Sequence, residues 1–408
     1  MSVVIRVTRF APPWVAVFVG SALFYLMMKV TLWTPLRFWS FSTGQGFADL
    51  RQLFIWSECF QANPTENYYA STECRGYIYG STLMRLITFF KVGTTSTSFI
   101  ASIAILLLCW FIAWLWVSRS GTNPLIQLFT LFSPPLFLLA ERANIDILVA
   151  LFILFAALLI NGRFYYLAIA ILSFASVIKF YPLPILALCL LYARNLRQSV
   201  FGIIAILIST VVIFSDLLSI KESFPSYYSF MFGMSVWARY LRIIAFDFPG
   251  GENVFSTLVG IPIAIAILLA VMLILKKHQI LKATFTEKCN GAPFMFFTTA
   301  HATCFYLGMS FDYRMILLIC SAYSYLNIIN KKRSSLEEPL VQIGLLISLW
   351  LSFAAPGLEP LGDLAIQLIT TFLTIRLFQF VKRELERRLK NMNKNRFSSS
   401  TFEADLLG

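Results

Sequence analysis

The chain has 408 residues, a formal net charge of +13, 58% hydrophobic but only 13% charged residues, and a mean hydropathy of +0.75. A soluble domain carries about a quarter charged residues, so a water-soluble globular fold is excluded and the bilayer must be part of the solvent. The basic residues collect at the ends of apolar segments, which marks membrane orientation and sets nucleic acid aside as a partner.

Apolar runs near span length predict an all-α fold: a polytopic transmembrane helical bundle of about twelve spans. They fall at approximately 13–33, 98–118, 123–139, 145–160, 164–178, 180–193, 199–217, 254–275, 292–308, 313–329, 339–355 and 361–380. The third to sixth are nearly contiguous, and several are short. Residues 1–380 read as a single integral membrane domain, and 381–408 as a charged, then Ser-rich, partly disordered cytoplasmic tail. The first apolar segment is too long for a cleavable signal peptide and lacks a small-residue cleavage pattern.

With a cytoplasmic N-terminus carrying Arg6 and Arg9, every short basic connection lands on one side. These hold Arg119, Arg163, Arg194 with Arg197, Lys276 to Lys288, and Lys331 to Arg333. Both termini are therefore expected in the cytoplasm. The first long outer loop, 34–97, contains two segments with near-helical apolar spacing. One holds Leu50, Leu53, Phe54 and Ile55, and the other runs from Tyr77 to Phe90. Both suggest amphipathic helices at the interface. The second long outer loop, 217–253, mixes Tyr227, Tyr228, Trp237, Arg239, Tyr240 and Arg242, which suits the headgroup level.

Of seven cysteines, Cys109, Cys189, Cys304 and Cys320 lie in apolar runs and read as small hydrophobes. Cys59 and Cys74 share the first outer loop. They are candidates for a disulfide if that loop faces an oxidising compartment, although spacing alone does not fix the geometry. With His278 and His301 the only histidines, a His-based metal site is not expected. No Walker-type, GxGxxG, HExxH or GxSxG sequence is present.

Four polar interruptions carry chemistry, and each has a plainer alternative. Asp49 stands at the start of the first amphipathic segment, either as an N-cap or as a general base that takes a proton from an attacking hydroxyl. Glu141-Arg142-Ala143-Asn144-Ile145-Asp146 interrupts two apolar helices. It is either a tight polar turn with an internal ion pair or a set of ionisable groups facing the protein interior. Lys179, in Lys179-Phe180-Tyr181-Pro182, either snorkels to the interface or offers a counter-charge to a lipid phosphate. Asp312 and Arg314, in Phe311-Asp312-Tyr313-Arg314, either pair with each other or complete a phosphate or sugar site. His301, mid-span, reads more readily as a packing residue than as a ligand.

These patches resemble the polytopic GT-C glycosyltransferases, and within them the family-87-like membrane mannosyl and related glycosyltransferases. Asp49-Leu50-Arg51-Gln52, followed by Glu58-Cys59, matches the early acidic residue of the first outer loop. Glu141-Arg142-Ala143-Asn144 is similar to a Glu-Arg-Gly-Asn/Gln motif, and Lys179-Phe180-Tyr181-Pro182 to a Lys-x-x-Pro motif. The likeness covers the whole chain in architecture but only short patches in sequence. It implies a polyprenyl-phosphate donor of mannose or another hexose or pentose, and a glycan or glycolipid acceptor. It further implies a site on the outer face of the membrane, inversion at the sugar carbon, and no cofactor. Asp49 would be the catalytic base, and Arg142, Asn144, Lys179, Asp312 and Arg314 the donor-phosphate and substrate ligands. Ala143 departs from the usual Gly. A first-loop acidic pair found in some relatives is absent, so metal dependence is not supported.

The expected function is thus an envelope glycosyltransferase, with a bacterial inner membrane as the expected location. An O-antigen-type polysaccharide polymerase or ligase would also have many spans and a large outer loop, although there the major loop comes later in the chain. A lipid-linked-sugar transporter would share the intramembrane charges but usually shows paired halves, and no such symmetry is visible.

Overall fold

The computed structural model describes residues 47–63, 81–118, 124–131, 133–220, 231–232, 285, 291–306, 310–311, 314–329, 337–354 and 359–405. The expected spans at 13–33 and 254–275, most of the loop at 217–253, Cys74 and Asp312 lie outside them.

The described helices are α1 (Ala48–Ala62), α2 (Ser81–Phe89), α3 (Thr97–Ser118), α4 (Pro124–Leu131), α5 (Pro134–Arg142), α6 (Asp146–Leu159) and α7 (Tyr165–Ile178). Beyond them come α8 (Leu183–Cys189), α9 (Leu196–Ile220), α10 (Ala292–Tyr306), α11 (Met315–Ile328), α12 (Glu337–Ala354) and α13 (Glu359–Asp405). Among the described residues the regular structure is helical apart from an antiparallel pair of two-residue strands, β1 (Met231–Phe232) and β2 (Ser310–Phe311), and an isolated antiparallel bridge between Phe285 and Ile329. Met231 lies opposite Phe311 and Phe232 opposite Ser310.

The expected segments that fall on described residues are helical, but among the described residues fewer helices are long and apolar enough to cross a membrane than a count of about twelve spans asks for. Three helical stretches among the described residues are long and apolar enough to cross a membrane: Thr94–Ile112, Leu196–Asp216 and Leu361–Lys390. A fourth is added if Phe129–Arg142 and Asp146–Leu159, bent by 110° across their turn, count as one broken span. The reason is length. Helices α7 and α11 have 14 residues each, about 21 Å at 1.5 Å per residue, against a hydrocarbon core of about 30 Å. The expected segment at 123–139 is two helices, because Pro134 and Pro135 open α5 and lack the N–H groups that would continue α4.

The long apolar helices differ in what surrounds them. Only 22% of the Thr94–Ile112 window and 17% of the Leu196–Asp216 window are buried within the protein, against 67% of Leu361–Lys390. The first two therefore present apolar side chains outward, as lipid-facing helices do, while α13 runs through the interior. It packs there with α10 and α11, whose side chains are buried on nearly every side, among them Phe294, Phe296, Phe297 and Leu317 to Cys320. Several helices thus fit an integral membrane protein by length and composition.

A buried ionic clamp ties α11, α12 and α13 together. Arg376 donates from Nη2 to Glu337 Oε1 at 2.5 Å, from Nε to the Tyr325 hydroxyl at 2.8 Å and from Nη1 to Gln379 Oε1 at 2.7 Å. The Tyr325 hydroxyl in turn donates to Glu337.

One feature of the sequence reading needs adjusting. Helix α13 does not break near residue 381 but continues through the charged segment to Asp405. Ion pairs Lys382–Glu386, Glu384–Arg387 and Glu384–Arg388, three or four residues apart, support the helix there. In the outer loop, α1 buries Leu50, Leu53, Phe54, Trp56 and Phe60 and exposes Arg51 and Glu58, the expected amphipathic pattern. Helix α2 buries Leu83, Met84 and Ile87. Cys59 is disulfide-bonded, and Cys109, Cys189, Cys304 and Cys320 are free and buried.

Candidate functional site

The site is built where four helix ends and one connection converge. Helix α5 closes in a Schellman motif: the Ala143 N–H bonds to Ala140 O at 3.0 Å and the Asn144 N–H to Leu139 O at 3.3 Å. That closure puts Ala143 in the left-handed region, at φ 45° and ψ 45°, where glycine is the usual residue. The same turn exposes the Glu141 carbonyl, which accepts the Phe47 N–H at 2.8 Å. Phe47 is itself left-handed, with φ 62°, and starts α1. A backbone hydrogen bond therefore docks the start of α1 onto the end of α5.

Docking brings Asp49, in the first turn of α1, against that turn. Its Oδ1 accepts from Arg142 Nη1 at 2.8 Å, and its Oδ2 from Asn144 Nδ2 at 2.6 Å. The N-cap alternative for Asp49 is not what forms: the cap position is Phe47, and no side chain bonds there. Nor does Arg142 pair within its own turn. Its partner is the carboxylate 93 residues earlier.

Asn144 links this rim to the interior. Its Oδ1 accepts the Asp146 N–H at 2.9 Å, across the first turn of α6. The Asp146 side chain, 1% exposed, is the hub of the inner half. Its Oδ2 accepts from Arg314 Nε at 3.1 Å. Its Oδ1 accepts from the Tyr181 hydroxyl at 3.1 Å and lies 3.7 Å from Lys179 Nζ. The Arg314 guanidinium also stands over the Tyr181 ring, 5.6 Å from its centroid. Lys179 does not snorkel: its side chain is 7% exposed and turned to Asp146.

Charge and burial are graded across the cluster. At the rim the Arg142 and Asp49 side chains are 29% and 17% exposed, whereas inside Asp146 is sealed. Among the described residues, Arg142 pairs with Asp49, and Lys179 and Arg314 both face Asp146. Lys179 lies in the connection between α7 and α8, outside the long apolar helices. Burial pushes its ammonium down to about 8, against the upward pull of Asp146, and Arg314 pushes it down further.

Asp49, Arg142, Asn144, Lys179 and Arg314, singled out in the sequence, therefore converge on one cluster. Asp312 lies outside the described residues. Asp146 and Tyr181 are the members left out of the expected ligand set. The sequence signal for Asp146 was present: a carboxylate opening a strongly apolar helix needs partners. His301 is buried on α10, and its Nε2 is 2.8 Å from Thr370 Oγ1. Among the described residues no group of three His, Cys, Asp or Glu side chains is placed to hold a metal ion.

No family model, no curated protein and no solved structure matches the chain.

Proposed function

We propose that the protein is a membrane glycosyltransferase that moves a sugar from a polyprenyl-phosphate donor to a glycan or glycolipid acceptor. The reaction takes place at the outer face of the membrane, a bacterial inner membrane with both chain termini in the cytoplasm. The observation that supports it is a partly exposed carboxylate, Asp49, held beside Arg142 and joined through Asn144 to a buried centre where Lys179 and Arg314 meet Asp146.

The chemistry follows from those groups. Glycosyl transfer needs a base for the acceptor hydroxyl and positive charge for the departing phosphate. Asp49 takes the proton as the acceptor oxygen bonds to the anomeric carbon from the face opposite the phosphate. The carbon–oxygen bond to phosphate breaks, and its electron pair stays on the phosphate oxygen. Arg142, Lys179 and Arg314 stabilise that charge through hydrogen bonds and proximity. Each Asp49 oxygen has a second lone pair beyond the one already engaged, so the carboxylate can still accept a hydroxyl proton.

The test is transfer from radiolabelled polyprenyl-phosphate sugars by protein in nanodiscs, wild type beside Asp49→Asn. Loss of about two to four orders of magnitude in rate is expected for the variant, with donor binding retained. Equal rates would remove Asp49 as the base, and no transfer from any monosaccharide donor would remove the glycosyltransferase reading.

A further inference from the structure

We infer that Asn144 is a positioning residue for Asp49, capping the first turn of α6 with one end of its amide and aiming the carboxylate with the other. The catalytic consequence rests on Asp49 being the base. Asn144 is 1% exposed, and both ends of its amide are used. Its Oδ1 takes the Asp146 N–H, one of the donors that a helix start leaves without an intrahelical partner. That bond settles the orientation of the amide. Turned over, it would face an N–H donor with its own NH2 group and a carboxylate with its own carbonyl oxygen. Nδ2 therefore points to Asp49 Oδ2, at 2.6 Å.

The backbone beneath is equally fixed. The Asn144 N–H closes the Schellman motif, and the Phe47–Glu141 bond holds α1 against the same turn. Asn144 is thus a rigid bracket between two helix starts. Its donated N–H fixes the direction in which the Asp49 carboxylate faces the rim. Arg142 supplies the neighbouring positive charge from α5, and Lys179 acts at longer range. Glu141 is the other carboxylate of that turn. Helix α2 contributes an exposed Arg85, and α3 carries no charged residue.

The change Asn144→Asp separates aiming from scaffolding. The variant keeps an oxygen for the Asp146 N–H, so the helix start stays capped. It also places a second carboxylate where Nδ2 was, and like charges sharing a site raise the pKa of one of them. The experiment follows modification of Asp49 by a water-soluble carbodiimide and glycine ethyl ester, which consumes the protonated carboxyl. Full-length protein in nanodiscs is labelled at a series of pH values and read by mass spectrometry, with Asp49→Asn as the blank.

The pH of half-modification should rise by about one unit or more in Asn144→Asp, a tenfold change in labelling on the alkaline side. Asn144→Ala should show a smaller rise, and it carries the test if the first variant does not fold. The acid limb of sugar transfer should move with the labelling. A midpoint that stays at the wild-type value in both folded variants would overturn the inference. Labelling needs no donor, so the two readings fail separately. A shifted midpoint without any sugar transfer keeps Asn144 as the bracket and removes the glycosyltransferase. An unshifted midpoint in an active enzyme removes Asn144 alone.

Discussion

Replacing Asp146 by Asn removes a carboxylate that Lys179 and Arg314 share. The Arg314 guanidinium keeps its charge at every accessible pH, so it loses a charge-assisted hydrogen bond worth roughly 1.5–3 kcal/mol. Lys179 has an escape, because it can release its proton. Burial already holds it at about 8 in the folded protein, below its ordinary 10.5. At pH 7 the neutral amine is therefore only about 1 kcal/mol away, which limits the lysine's share of the damage. The expected deficit is about 3–4 kcal/mol at pH 7, within the range for breaking a buried pair.

The pH dependence carries the sharper test. A lysine with a lowered folded pKa makes the folded state relatively more stable as pH rises between the folded and unfolded values. In the wild type that rise begins near 8. Without Asp146 it begins lower, so the gap between the two proteins narrows by about 1 kcal/mol from pH 7 to pH 9. Unfolding by titrated sodium dodecyl sulfate in mixed micelles measures both values. A deficit under about 1 kcal/mol at pH 7, or a gap that does not narrow by pH 9, would refute the assignment of Asp146 as the shared counter-charge.

Two further outcomes follow from local geometry. Glu337→Gln removes the carboxylate that the buried Arg376 guanidinium bonds to, and should cost about 3–5 kcal/mol in the same assay. The double change Glu337→Leu with Arg376→Leu should recover most of that. Ala143→Gly relieves a left-handed alanine at the end of α5 and should stabilise by up to about 1 kcal/mol, less the contact of one buried methyl. A loss of stability there would mean that the methyl packing outweighs the backbone strain.

Much of the site was legible because its members are polar groups set in apolar sequence. Asp49, Arg142, Asn144, Lys179 and Arg314 each stand out against runs of Leu, Ile and Phe, and burial forces such groups to find one another. Their pairing was not legible. Arg142 has Glu141 beside it and Asp146 four residues on, yet it bonds to Asp49, because the turn at Ala143 faces α1. Lys179 lay on the expected outer side, but the sequence could not show that Asp146 would draw it inward. Helix positions were readable from apolar runs. Which of them cross was not, since an apolar stretch of 14 residues suits an interior helix as well as about two thirds of a crossing. Proline at the start of α5 was a visible break, passed over because the run as a whole remained apolar.

The hub at Asp146 has a consequence for how the chain is made. Synthesis proceeds from the N-terminus at about 5–20 residues per second. Arg314 is 168 residues downstream of Asp146, so it leaves the ribosome roughly 8–34 seconds later. Over that interval the carboxylate at the head of α6 has Lys179 and Tyr181 as its nascent partners, both delivered by the next helix and its connection. Lysine thus acts as the early escort of a charge that arginine later shares, and the order of the two cations along the chain becomes part of how the head of α6 is settled.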